Sequence, residues 1–273
     1  MKLAIKLLTS IATLAMCVGA AAQDSNERNT VSFSDPSRPG LLQVSLVRGS
    51  ITVKGSDIKE VIIERRSGHA GAPSSDQQGP TGMRELPQQP FISMEEQNNQ
   101  MSIASLNMNL AVDLEIQVPR RTSLKLSTVN NGDIRVDGVE GELEIANVHG
   151  AITLTGVGGS VVAHTIDGQL TATVATVSPE KPMAFTSLNG TIDVTLPAST
   201  KANLKLRSDN GPVYTDFELS MLQQPSSSVE DTRKSGGRYR IEVNKAIYGS
   251  LNGGGPEIEL RSFNGPVYVR KGK

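Results

Sequence analysis

The chain has 273 residues, with 27 basic and 28 acidic side chains and a net charge of −1. So even a balance leaves no electrostatic footprint for nucleic acid and no polybasic membrane patch. Aromatic residues make up 3% and tryptophan is absent, which fits a core of Ile, Val and Leu better than that of a large α/β enzyme.

The first element is a secretory leader over residues 1–22. Lys2 and Lys6 precede an apolar run from Leu7 to Val18, and Ala20-Ala21-Ala22 offers a small-residue cleavage site before Gln23. The run is too short to span a bilayer, and no later segment is apolar enough, so no transmembrane span is expected. Cys17, the single cysteine, lies inside the leader, so the processed chain has no disulfide, thiol nucleophile or thiolate metal site. Met16 is large where a small residue precedes a lipid-modified cysteine, which argues against anchorage through Cys17. The expected location is outside the cytoplasm: periplasm, cell surface or medium. Residues 23–40 read as a flexible segment, and 41–273 as one β domain.

That domain repeats a phrase: two alternating apolar residues, a small polar residue, a glycine corner, and two more alternating apolar residues. The corners are Gly49, Gly132, Gly150, Gly168, Gly190, Gly211 and Gly265. From Gly132 the gaps are 18, 18, 22, 21 and 54 residues. Asn131, His149, Asp167, Asn189, Asn210 and Asn264 precede the last six, and Asn, Asp and Gly tolerate the positive φ of a sharp turn. After the corners, Ile134/Val136, Ile152/Leu154, Leu170/Ala172, Ile192/Val194 and Val267/Val269 should point inward. Before them, Leu124/Leu126, Leu143/Ile145, Val161/Ala163, Leu204/Leu206 and Ile258/Leu260 form a second inward column. Asp133, Arg135, Thr153, Thr171, Asp193, Tyr214 and Tyr268 should face solvent. A second corner recurs at Gly138–Gly141 and Gly156–Gly159, so one 18-residue rung holds two strands and two turns.

A longer echo joins Leu114–Leu126 to Ile192–Leu206. In each a strand ends at proline, Pro119 or Pro197, and a new strand follows a turn. Polar, Gly- and Ser-rich insertions interrupt the rungs at about 67–90 and 220–237, and Gly253-Gly254-Gly255 interrupts them again. No helix is expected after residue 23.

These features predict an all-β fold: a single-stranded right-handed parallel β-helix, or β-solenoid, with irregular rungs and long loop insertions. A hexapeptide left-handed helix fails, because stepping by six from Ile134 meets Glu140, Gly158 and His164. A calcium-binding nonapeptide roll fails for want of Gly-Gly-x-Gly-x-Asp. The phrases Asn131–Gly141 and Leu251–Gly265 resemble the DUF4097 family of bacterial exported proteins, which carry the label adhesin. The resemblance runs from about Leu42 to the C-terminus, interrupted by the loops. It implies a β-helical domain at the bacterial envelope and supplies no catalytic residues.

Chemistry-bearing residues are sparse. His69, His149 and His164 lack metal-ligand spacing, so no metal and no cofactor is expected. Gly253–Gly255 has no following Lys and no helix, which excludes a phosphate loop, and no Gly-x-Ser-x-Gly elbow occurs. Asp133, Asp193 and Glu142 are outward acids without a recurring cluster on neighbouring rungs. The surface pattern with the most binding character is Arg207 with Tyr214, repeated as Arg261 with Tyr268. If the two rungs stack, they form Arg and Tyr ladders suited to carbohydrate or protein, though the same ladders also serve as plain cross-strand pairing. The expectation is a non-catalytic exported protein that binds or scaffolds an envelope protein or glycan, with end-to-end self-association through open strand edges. Two alternatives stand beside it: a polysaccharide-active β-helix enzyme, and a periplasmic accessory to envelope stress sensing.

Overall fold

The computed structural model describes residues 27–66, 92–105, 110–223, 228–231, 239–242 and 245–273. The expected leader at 1–22, the insertion at 67–90, His69, and residues 224–227 and 232–237 of the second insertion lie outside the described residues. Every regular element among the described residues is a strand.

The chain begins with β1 (Glu27–Ser32), β2 (Leu41–Arg48), β3 (Ile51–Ser56) and β4 (Glu60–Arg66), then β5 (Ser93–Gln97), β6 (Gln100–Ser105) and β7 (Asp113–Pro119). Four two-strand rungs follow: β8 (Ser123–Asn130) with β9 (Ile134–Asp137), β10 (Leu143–His149) with β11 (Ile152–Val157), β12 (Val161–Asp167) with β13 (Leu170–Val174), and β14 (Met183–Asn189) with β15 (Ile192–Leu196). A further rung holds β16 (Ala202–Ser208) and β17 (Val213–Thr215). Then come β18 (Ser220–Met221), the separate hairpin β19 (Ser228–Asp231) and β20 (Tyr239–Glu242), and β21 (Ile247–Leu251). The last rung is β22 (Glu257–Asn264) with β23 (Val267–Lys271).

The strands make two long sheets. Sheet A runs β1-β4-β7-β3-β9-β11-β13-β15-β23-β17, and sheet B runs β18-β21-β16-β22-β14-β12-β10-β8-β2-β6-β5. The rung strands pair in parallel and in register, for example Ile134↔Ile152↔Leu170↔Ile192↔Val267. This is the β-solenoid that the repeat implies. Both inward columns are buried, with Ile134, Ile152, Leu170, Ile192 and Val267 all at 0% exposure. Each such side chain removed from water contributes about 1.5–3 kcal/mol before the entropy of ordering is subtracted.

Stacking order departs from chain order at both ends. The rung β2/β3 lies between β6/β7 and β8/β9, and the C-terminal rung β22/β23 lies between β14/β15 and β16/β17. The Pro119 and Pro197 turns therefore step over an inserted rung. Both close with the same bond, Thr122 N–H to Pro119 O and Thr200 N–H to Pro197 O, each 3.0 Å. The sequence echo marks these two crossings. Outside the rungs the strand direction reverses: β4 on β7, β5 on β6 and β21 on β16 are antiparallel.

Residues 27–32, within the segment expected to be flexible, instead form β1. It pairs antiparallel with β4 along its whole length and covers what would be an open sheet edge. Phe33 then buries its ring against Gly40, at 4% exposure, and fixes the segment.

The glycine corners have a different cause from the expected one. Of the corner glycines only Gly49, Gly150 and Gly265 have positive φ, and of the residues before them only Asn131 does. The column is glycine because the rungs approach too closely for a side chain. A Cβ on Gly150 would lie 2.2 Å from Gly132 O, one on Gly168 2.0 Å from Gly150 O, and one on Gly190 2.0 Å from Gly168 O. The small polar residue of the repeat turns inward and bonds the same carbonyls. Asn147 Nδ2 donates to Gly132 O at 2.9 Å, Ser262 Oγ to Gly190 O at 3.1 Å and Ser208 Oγ to Gly265 O at 2.8 Å. Outside the corner an amide ladder runs from Asn210 to Asn264 (2.9 Å), Asn264 to Asn189 (2.7 Å) and Asn189 to Asp167 (2.7 Å).

Candidate functional site

Alternation along β17 and β23 places Tyr214 and Tyr268 on the outer face of sheet A, in register. Their rings stack with centroids 5.1 Å apart and planes 14° from parallel. Period two places Arg270 on the same face as Tyr268. Its guanidinium reaches away from β17 and grips Asp193 of β15, Nε to Oδ1 at 2.8 Å and Nη2 to Oδ2 at 2.9 Å. The same guanidinium carbon lies 5.1 Å from the Tyr268 ring centroid. The hydrogen bonds that Arg270 donates to Asp193, and the carboxylate's charge, strengthen the guanidinium's hold on its proton. The result is a stack of Arg270, Tyr268 and Tyr214. β17 is the last strand of sheet A, and Tyr214 is 52% exposed. Lys271 N–H donates to Asp216 Oδ1 at 2.6 Å and ties down the end of β23 beside it.

The four residues singled out from the sequence do not form one site. Arg207 and Arg261 are register neighbours on β16 and β22, so the Arg ladder forms, but on the outer face of sheet B. The corner between strands sends Arg and Tyr to different sheets. Arg207 is engaged by Asp209 through Nε (3.0 Å) and Nη2 (2.7 Å). Arg261 has no ion pair among the described residues. Sequence reasoning missed Arg270 as the third member of the Tyr stack, although its i+2 spacing from Tyr268 was the available signal.

The other candidates separate. Asp133 accepts from Arg135 Nη2 (2.6 Å) and from Ala151 N–H (2.9 Å). Asp193 lies three strands away in sheet A, about 14 Å at the usual strand spacing. Glu142 pairs with Lys181. His149 sits 3.4 Å from Asp167 at the corner, and His164 lies on the outer face of sheet B between Ala146 and Thr186. No group of three metal-ligating side chains occurs among the described residues. No helix of the described residues is long and apolar enough to cross a membrane.

One further surface went unnoticed in the sequence. Val129, Ile166, Leu188 and Phe263 are 37–46% exposed and, with half-buried Val148 between the first two, share a column on the outer face of sheet B. Its signal is an apolar residue two positions before a corner glycine, as in Ile166, Leu188 and Phe263.

The solved structure of a protein named a cell adhesion protein from Clostridium sporogenes aligns with 90% of this chain and 100% of its own, at 12% identity and a TM-score of 0.50. At that identity the likeness shows a shared fold. A protein named an adhesin from Bacteroides fragilis aligns with 91% of this chain and 98% of its own, at 12% identity and a TM-score of 0.39. No curated protein matches the sequence. The profile of the Toastrack DUF4097 family matches residues 90–246, more than half of the chain, and leaves the two inserted rungs outside the match. The repeat, the two-sheet solenoid and this match together place the chain in the Toastrack DUF4097 family.

Proposed function

We propose that this is an exported, non-catalytic binding protein that holds an envelope glycan on the outer face of its solenoid. The observation that carries the reading is the Arg270–Tyr268–Tyr214 stack, which ends in a half-exposed ring at the last strand of sheet A. Arg270, held by Asp193, backs the inner ring, so the outer ring is held before any ligand arrives, and little entropy is lost on contact. A sugar ring packs its C–H face on such a surface, and the neighbouring Tyr and Asp oxygens serve its hydroxyls. The leader expected at residues 1–22 supports export. The name of the C. sporogenes protein is in keeping with a surface role.

A glycosidase reading finds less support. Inverting and retaining pairs of carboxyls stand about 5–9.5 Å apart, whereas Asp133 and Asp193 are separated by three strand spacings, and Arg135 and Arg270 neutralise them. A second reading, an accessory acting through protein contacts, rests on the exposed apolar column of sheet B. Cosedimentation of the purified protein with envelope glycans and with envelope protein fractions separates the two. Loss of glycan binding in Tyr214→Ala supports the first, and loss of protein binding in Leu188→Asp supports the second.

A further inference from the structure

The opposite end of the solenoid holds a cleft of about 340 Å³ where the Pro119–Thr122 turn meets the loops after β1 and β3. Pockets that hold small ligands start at about 300 Å³. Four cationic side chains line it: Arg38, Lys59, Arg120 and Arg121. Arg38 is paired with Asp35 and Arg120 with Asp57, each at 2.8 Å. Lys59 and Arg121 are exposed and have no ion pair among the described residues.

The fold carries its own control for this charge. The Pro119–Thr122 and Pro197–Thr200 turns close with the same hydrogen bond and perform the same crossing over an inserted rung. The second makes that turn with Ala198 and Ser199, where the first has Arg120 and Arg121. Arginine is therefore not required by the turn. At the second turn, Asn252 Nδ2 also seals the backbone, donating to Ala198 O (3.2 Å) and Thr200 O (2.7 Å). The first turn instead borders the open cleft.

The remaining wall is mixed. Phe33 is at its base, with Pro36, Pro39 and Ile58 around it, and Glu140 is the acid not engaged by an arginine bond. We propose that the cleft binds an acidic sugar. Arg121 and Lys59 hold its anionic group, the apolar wall takes its ring, and Glu140 accepts from its hydroxyls. The anion is a carboxylate or a phosphate, since a guanidinium fork fits both. The site is separate from the tyrosine stack, which lies at the other end of sheet A.

Isothermal titration of the purified protein with glucuronate, glucose 1-phosphate and glucose tests this. At least one acid binds saturably and glucose does not, and the tighter acid identifies the anionic group. Arg121→Gln and Lys59→Gln each weaken that binding about tenfold, the loss expected for one charge-assisted hydrogen bond, with unchanged melting temperature. Arg261→Gln, on the outer face of sheet B, leaves it intact. Equal binding of glucose, no binding of either acid, or full binding in both cleft variants overturns the proposal.

Discussion

Gly168→Ala tests the cause of the glycine column. Gly168 has no positive φ, so backbone strain assigns the substitution almost no cost. The neighbouring rung assigns it a large one. Its Cβ would stand 2.0 Å from Gly150 O, about 1 Å inside the 3.0 Å that real Cβ atoms respect. The obstacle is backbone, so no side chain can rotate away. Moving it strains two ladder bonds at the same corner, Gly150 N–H to Asp167 O (3.0 Å) and Gly168 N–H to Asn189 O (3.1 Å). Overpacking of this kind costs about 3 kcal/mol, which lowers the melting temperature of a domain this size by about 6–12 °C. Gly156 is the converse case. Its φ is +60° and an added Cβ meets nothing within 4 Å, so Gly156→Ala pays only the left-handed strain of about 1 kcal/mol. Urea and thermal melts of the two variants measure the difference. A smaller loss in Gly168→Ala than in Gly156→Ala would refute the close-approach explanation.

Two further outcomes follow from the packing and the charges. Ile152→Asp buries an unpaired charge at a fully buried position and should cost more than about 4 kcal/mol, whereas Thr153→Asp on the outer face should stay within about 0.5 kcal/mol, both read from denaturant melts. At the N-terminal end, hydrogen bonds from the Ser34 hydroxyl (2.8 and 2.7 Å), the Ser34 amide and the Asn99 amide hold the Glu96 carboxyl below its usual value of 4.5. A depressed folded-state value means that the stabilisation is present above 4.5 and is lost as pH falls through the lower folded value. Amide exchange at Ser34 and Asn99, compared with a distant rung, should rise selectively on acidification, and Glu96→Gln should abolish that selectivity.

The inward columns were legible because a period of two repeats in every rung, and the same positions must bury in each: Ile134, Ile152, Leu170 and Ile192 are all at 0% exposure. The order of the rungs was not legible. β16/β17 and β22/β23 share the phrase Arg-Ser-x-Asn-Gly-Pro-Val-Tyr, so local pattern fits either rung to either slot. Their order depends on a turn that steps over one strand, and the Pro119 and Pro197 echo registers the turn without its span. A glycine in sequence likewise does not say whether a backbone angle or a neighbouring carbonyl excludes Cβ. Gly150 has both constraints and Gly168 only the second. The proposed Arg and Tyr quartet divided between two sheets because alternation is counted along a strand, and a corner resets it. The pair that did form gained Arg270 and Asp193, which are 77 residues apart in sequence and meet only because β15 and β23 are neighbours.

Cosedimentation of the purified protein with peptidoglycan and envelope polysaccharide, with the recovered glycans sized for cleavage, bears most directly on the proposed function. Saturable binding with glycans of unchanged length is predicted. Tyr214→Ala should weaken it about three- to tenfold, the value of one aromatic contact, while melting only the few degrees lower that loss of its stack on Tyr268 implies. Shortened glycans that disappear in Asp193→Asn, or binding indifferent to Tyr214→Ala, would contradict it.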